Sequence, residues 1–123
     1  EQTVILFAPG EGKLKIDTTR STLNEKVAQP WPVPQGAFYQ GLSEGRNDVR
    51  VQEAPFALLF DEPLKLHVFL DRSILEVFAN GRQCITQRIY PSMNDSLGVA
   101  LFSHITADVR CLEAWDITAT NSW

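Results

Sequence analysis

LKLHVFLDRSILEVFANGRQCITQRIYP, residues 64–91, spells out strand, bend, strand, turn and strand in one uninterrupted run. Leu64, Leu66, Val68 and Leu70 alternate with Lys65 and His67, the period of a strand with one buried face. Ile74 to Ala79 is rich in β-branched and aromatic residues. Asn80-Gly81 then supplies the two φ > 0 positions that a type I′ hairpin turn requires. Closing that turn on Ala79 and Arg82 predicts Val77 opposite Cys84, Glu76 opposite Ile85 and Phe78 opposite Gln83. The returning strand should end at Tyr90-Pro91, because proline cannot continue a ladder.

The wording of this hairpin is as informative as its period. Asp71-Arg72-Ser73-Ile74-Leu75-Glu76-Val77-Phe78-Ala79-Asn80-Gly81, followed by Arg88-Ile89-Tyr90-Pro91, resembles the C-terminal β-sandwich module of glycoside hydrolase family 32, the invertases, levanases and inulinases. The resemblance continues in Ser96-Leu97-Gly98-Val99 and in Leu112-Glu113-Ala114-Trp115-Asp116. Upstream it is weaker, in Thr3-Val4-Ile5, Leu14-Lys15-Ile16-Asp17 and Arg20-Ser21-Thr22-Leu23, with a divergent stretch between 24 and 46. It implies part of an enzyme that cleaves sucrose or fructans. The module of that family usually begins with further strands before the equivalent of Thr3, so the resemblance also implies a sandwich shortened at its N-terminal side.

A chain of 123 residues is expected to form a single domain over 1–123 and to bury roughly two-thirds of its unfolded surface. The net charge of −4 with dispersed basic residues argues against nucleic acid, which needs clustered cations. No apolar run approaches the roughly 20 residues that cross a bilayer, and no basic-then-apolar leader opens the chain. No membrane partner is therefore expected. A leader could have been removed, so localisation stays open, with secretion slightly favoured over a cytoplasmic location.

Along the chain, Thr3–Ala8 and Leu14–Thr18 read as short strands about a turn at Pro9-Gly10-Glu11-Gly12. Gln29 to Gly36 holds three prolines and reads as an extended loop carrying Trp31. Val49–Gln52 and Phe56–Phe60 flank Pro55, Asp61-Glu62-Pro63 turns into the hairpin, and further strands are expected near Leu97–Phe102 and Ala107–Leu112. Trp115 reads as core and Trp123 as tail. No segment keeps a helical apolar period, and short strands about ten residues apart indicate an all-β antiparallel sandwich, jelly-roll or concanavalin-like, of about nine to eleven strands.

Chemistry enters chiefly through what is missing. The resemblance implies catalytic carboxylates on a separate five-bladed propeller, in Trp-Met-Asn-Asp-Pro-Asn, Arg-Asp-Pro and Glu-Cys motifs, and none of the three occurs here. Met93-Asn94-Asp95 imitates the first but reads as a polar loop between strands. A retaining glycosidase needs two carboxyls about 5 Å apart across the scissile bond, but fifteen acidic residues make chance pairs inevitable and a pair alone is no evidence; with the motifs missing, no catalytic residue is assigned and the isolated chain is expected to be inactive.

Arg72, Ile74, Glu76 and Phe78 share one strand face, while Ser73, Leu75, Val77 and Ala79 share the other. Both faces are half apolar, as in a strand covered on two sides, so one should meet the opposing sheet and the other a second body. Three readings of Asp71, Arg72, Ser73, Glu76 and Phe78 stay open. Asp71 caps a bend with Glu76 hydrogen-bonded inside the sandwich, or the group faces a catalytic domain, or it touches sugar. Aromatic platforms for a carbohydrate are Trp31, Phe38 and Tyr39, with Trp31 and Tyr39 retained as candidates. His67 and His104 are isolated and make a poor metal site, and neither a metal nor a cofactor is expected. Cys84 and Cys111 occupy apolar strand positions and read as two buried thiols rather than a bridge. Asn94-Asp95-Ser96 is an N-glycosylation sequon.

The sequence is accordingly read as a non-catalytic β-sandwich module of a β-fructosidase that stabilises or docks on a propeller. The alternatives are a free-standing module binding fructan or sucrose, and an assembly module without ligand. An uncovered first strand at Val4-Ile5-Leu6-Phe7 would also favour a homo-oligomer.

Overall fold

The computed structural model describes residues 1–27 and 49–118. Its strands are β1 (Gln2–Ala8), β2 (Lys13–Arg20), β3 (Val51–Pro55), β4 (Leu66–Asp71), β5 (Ile74–Ala79) and β6 (Gln83–Arg88). They form two antiparallel sheets, β1-β2-β3 and β4-β5-β6. The all-β sandwich expected from the sequence is what forms. No helix among the described residues is long and apolar enough to cross a membrane.

The β1–β2 connection is one 3-10 turn, Pro9–Glu11, started by proline and ended by Gly12 at φ 61°, a left-handed conformation that glycine adopts without cost. In the ladder that follows, Ile5 pairs with Ile16 and Phe7 with Leu14, while Ala54 and Gln52 of β3 oppose Leu14 and Ile16. Leu14, Ile16 and Thr18 are completely buried. They meet Leu75, Val77 and Ala79 of β5 and Ile85 and Ile89 from the last strand and its exit in one core, with Phe56 at its rim. The sheets are tied where β3 faces β6: Gln83 donates to the Pro55 carbonyl at 2.8 Å, and Arg82 to that of Ala57 at 3.1 Å. Arg82 also lies over the Phe56 ring, which packs edge-on against Phe7.

The β5–β6 turn keeps its expected chemistry but not its expected register. Asn80 and Gly81 have φ 48° and 64°, and the Arg82 N–H closes the turn on the Ala79 carbonyl at 3.0 Å. Arg82 is then left over before the ladder begins. Ala79 therefore pairs with Gln83, Phe78 with Cys84, Val77 with Ile85 and Glu76 with Thr86, one residue away from the register read off the sequence. The reason is burial. This pairing puts Val77 and Ile85 on the same inner face, and both are buried, whereas the two-residue register would turn Ile85 outward beside Glu76.

Other expectations are corrected as well. Six strands are present among the described residues, fewer than nine to eleven. Leu97–Phe102 and Ala107–Leu112 carry no strand, because no neighbouring ladder pairs with them, and Leu97, Val99 and Trp115 are exposed rather than core. Phe56–Phe60 is not a strand; Phe56 donates its N–H to the Gly12 carbonyl at 2.8 Å and turns inward, while Phe60 is fully exposed. Leu66, Val68 and Leu70 lie on the inner face of their strand, yet β4 is an edge strand exposed along its whole length. Cys84 and Cys111 are unpaired thiols, but both are exposed, Cys84 because its position in β6 points away from the core.

Candidate functional site

The outer surfaces of the two sheets differ in kind. On the first, Lys15 bonds Glu11 at 2.7 Å and Glu53 at 3.1 Å, and Lys13 pairs with the same Glu53. These contacts hold Glu53 below the usual carboxylate range through the hydrogen bonds from Lys13 and Lys15, and raise Lys15 through its bonds to Glu11 and Glu53. On the second, the cross-strand register sets His67 opposite Phe78, Phe69 opposite Glu76 and Asp71 opposite Ile74. Phe69 and Phe78 meet edge-on with ring centroids 5.8 Å apart. Phe69 and Ile74 are exposed and Phe78 half-buried, giving an aromatic and aliphatic face with Glu76 on it and Arg72 in the bend at its end.

Beside this face, at the turn end of the sheet, lies a surface concavity of about 260 Å³. Glu62, Pro63, Lys65, His67, Phe78, Asn80 and Gly81 line it. Asn80 is committed to structure: its side chain accepts from the Lys65 N–H at 2.8 Å and donates to the Pro63 carbonyl at 3.0 Å, joining the start of β4 to the turn. Glu62 accepts from the Leu59 N–H and from Arg82, each at 2.8 Å. The Leu59 N–H, then Asn80 and Arg82, hold its carboxyl below the ordinary value.

The model of the family described as glycosyl hydrolases family 32 C terminal matches residues 1–116. This chain belongs to that family. Among similar proteins, β-fructofuranosidase insoluble isoenzyme 5 of Oryza sativa subsp. japonica is 32% identical over 132 aligned positions, covering 98% of this chain and 21% of the relative. Fructan 6-exohydrolase of Beta vulgaris is 42% identical over 62 residues, 46% of this chain and 10% of the relative. β-Fructofuranosidase insoluble isoenzyme CWINV1 of Arabidopsis thaliana is 35% identical over 63 residues, 50% and 10% respectively. The chain thus spans a tenth to about a fifth of the length of these relatives. No solved structure gives a significant match.

Within this family 32 C-terminal domain, the two separated parts of the hairpin motif converge. Arg88 donates to Ser73 Oγ at 3.1 Å and the Ile89 N–H to the Ser73 carbonyl at 2.8 Å, so Asp71-Arg72-Ser73 and Arg88-Ile89 brace one another across the sheet. Arg72 sits at φ 51° in the bend between β4 and β5. Asp71 and Glu76 make no side-chain hydrogen bond or ion pair among the described residues, and both remain available to a partner. Trp31 and Tyr39, the sugar-platform candidates, lie outside the described residues. No group of three or more metal-ligating side chains occurs among the described residues.

Sequence reasoning missed Glu1. Its carboxylate accepts from the Ser92 N–H at 2.8 Å, Ser92 Oγ at 2.5 Å, the Met93 N–H at 2.9 Å, Ser96 Oγ at 2.9 Å and the Leu23 N–H at 3.0 Å. These bonds, led by the Ser92 hydroxyl, hold it well below the usual carboxylate range. A lone terminal glutamate carries no sequence signal for this role; two serines and a turn ninety residues away would have been the only clue.

Proposed function

We propose that this chain is the non-catalytic module of a β-fructosidase acting on sucrose or fructans, and that it docks on that enzyme's catalytic propeller through the outer face of β4 and β5. The observation that carries the reading is the apolar outer face itself, where Phe69 and Ile74 are exposed around a half-buried Phe78. A solvated sheet face resembles the lysine-glutamate lattice of the first sheet; an aromatic face with few charges resembles the centre of an interface. Arg72 and Glu76 would then give register to the contact, because charged pairs at the border of an apolar patch orient partners more than they bind them.

Co-expression of this chain with the propeller half of its parent reading frame tests the proposal by co-elution in gel filtration. Wild type is expected to co-elute and the Phe69→Glu/Ile74→Glu variant to elute alone with its own unfolding midpoint unchanged. Fructose release by the purified chain alone, or co-elution that survives the double substitution, would overturn it.

The concavity at Lys65, His67 and Phe78 favours a second reading, a fructan-binding module, since an aromatic floor with converging polar groups is the usual layout of a sugar site. Retarded migration in gels containing levan or inulin, lost in Phe78→Ala, is the outcome that reading requires.

A further inference from the structure

We infer that Asn94 is an acceptor for an N-linked oligosaccharide, a modification site at the tip of the loop that Glu1 holds. Of the five asparagines in the chain, only Asn94 is followed by any residue but proline and then by serine or threonine. The loop is a turn: the Ser96 N–H approaches the Met93 carbonyl at 3.4 Å and the Leu97 N–H bonds that of Asp95 at 2.9 Å. Asn94 and Asp95 are its two tip residues, and both are exposed.

The division of labour within this loop is what makes the site more than a motif. Ser92, Met93 and Ser96 take four of the bonds to the Glu1 carboxylate. The side chains of Asn94 and Asp95 make no hydrogen bond or ion pair among the described residues. Ser92, Met93 and Ser96 are anchored and the acceptor amide is not, so a bulky solvated substituent on Asn94 displaces no hydrogen bond or ion pair of the described residues. The chemistry is a substitution at carbon. The Asn94 Nδ2 attacks C1 of an oligosaccharide carried on a polyprenyl diphosphate, the donor of the eukaryotic secretory pathway. The Nδ2–C1 bond forms, the C1–O bond to diphosphate breaks, the lipid diphosphate departs with the bonding pair, and the amide loses one proton.

Ser96 has two duties under this inference: its hydroxyl is the recognition group of the sequon before folding and a donor to Glu1 afterwards. The two can be separated by substitution. The native reading frame that encodes this chain is expressed in plant cells without an added leader, and the peptide spanning Asn94 is read by mass spectrometry before and after peptide:N-glycosidase. The expected result is a glycopeptide in which the enzyme leaves an aspartate where the glycosylated asparagine stood. That glycopeptide should be absent from Asn94→Gln and Ser96→Ala, and present at equal or higher occupancy in Ser96→Thr, which keeps the hydroxyl. Asn94→Gln should leave the unfolding midpoint of the unglycosylated chain unchanged, whereas Ser96→Ala should lower it by removing a Glu1 partner. Unmodified Asn94 in the wild-type peptide, or an Asn94→Gln variant destabilised as much as Ser96→Ala, would overturn the inference.

Discussion

The two sheets share a core and part company on their outer faces. Lys13, Lys15, Glu11 and Glu53 lace the outside of the first sheet, while Phe69, Ile74 and Phe78 occupy the outside of the second. Exposed ion pairs add little stability, commonly under about 1 kcal/mol each, but they keep a sheet face wet and unattractive to other apolar surfaces. The second face has no such cover. The contrast teaches that half of this small sandwich is finished with ion pairs and half is left apolar on its outside, a difference that total composition conceals.

The comparison is tested most severely in the strands themselves. Ile16 is wholly buried and Val68, its counterpart on the inner face of the second sheet, is 46% exposed. Ile16→Ala is expected to cost about 2–5 kcal/mol, the range for a truncated core side chain. Val68→Ala in the isolated chain should cost about 1 kcal/mol or less, as for partly solvated sites. Chemical denaturation decides this, and equal losses would mean that β4 is covered in solution. Next in size is Gly81→Val, which forces a β-branched residue to φ 64° and should cost about 1–3 kcal/mol; an unchanged thermal midpoint would show that the second sheet does not depend on its turn.

The smallest effect belongs to the first sheet's terminal anchor. Because the folded state depresses the Glu1 pKa, the stability it contributes is fully present above the unfolded carboxyl value of about 4.3 and is lost as pH falls from there through the folded value. Glu1→Gln should therefore lower the thermal midpoint by a constant amount near neutrality, with the gap to wild type closing below about pH 4. A gap that does not change with pH would assign the effect to shape rather than charge.

Much of this was legible in residues 64–91. Alternation at Leu64 to Leu70, the β-rich run at Ile74 to Ala79 and the Asn80-Gly81 turn placed three strands, and the motif wording placed the family. The register was not legible, since the turn dipeptide is compatible with one extra residue and only the shared burial of Val77 and Ile85 selects it. Nor was exposure: Leu66, Val68 and Leu70 have the period of a covered strand, but period reports which way side chains point, while coverage depends on which strand lies opposite. The same limit undid Leu97–Phe102, whose pattern invites a ladder that has no neighbour. At the site, Arg72, Ser73 and Phe78 were found by wording, whereas the Lys65, His67 and Glu62 side of the concavity is assembled only by the return of the turn.

The Glu1 contacts also bear on how the chain finds its fold. They join residue 1 to residues 92 and 96, whereas β4, β5 and β6 are linked by bends of two and three residues. Closing a long loop demands more chain entropy before any contact rewards it, and topologies rich in such contacts fold slowly. The hypothesis that follows is a polarised transition state, with the β4–β6 meander formed early and the Glu1 anchor last. Conservative substitutions at Val77 should then give φ-values well above those at Glu1 or Ser96, so that losing the anchor speeds unfolding without slowing folding. Equal φ-values at the two places would mean that Glu1 meets the loop at residues 92–96 before the local sheet is built.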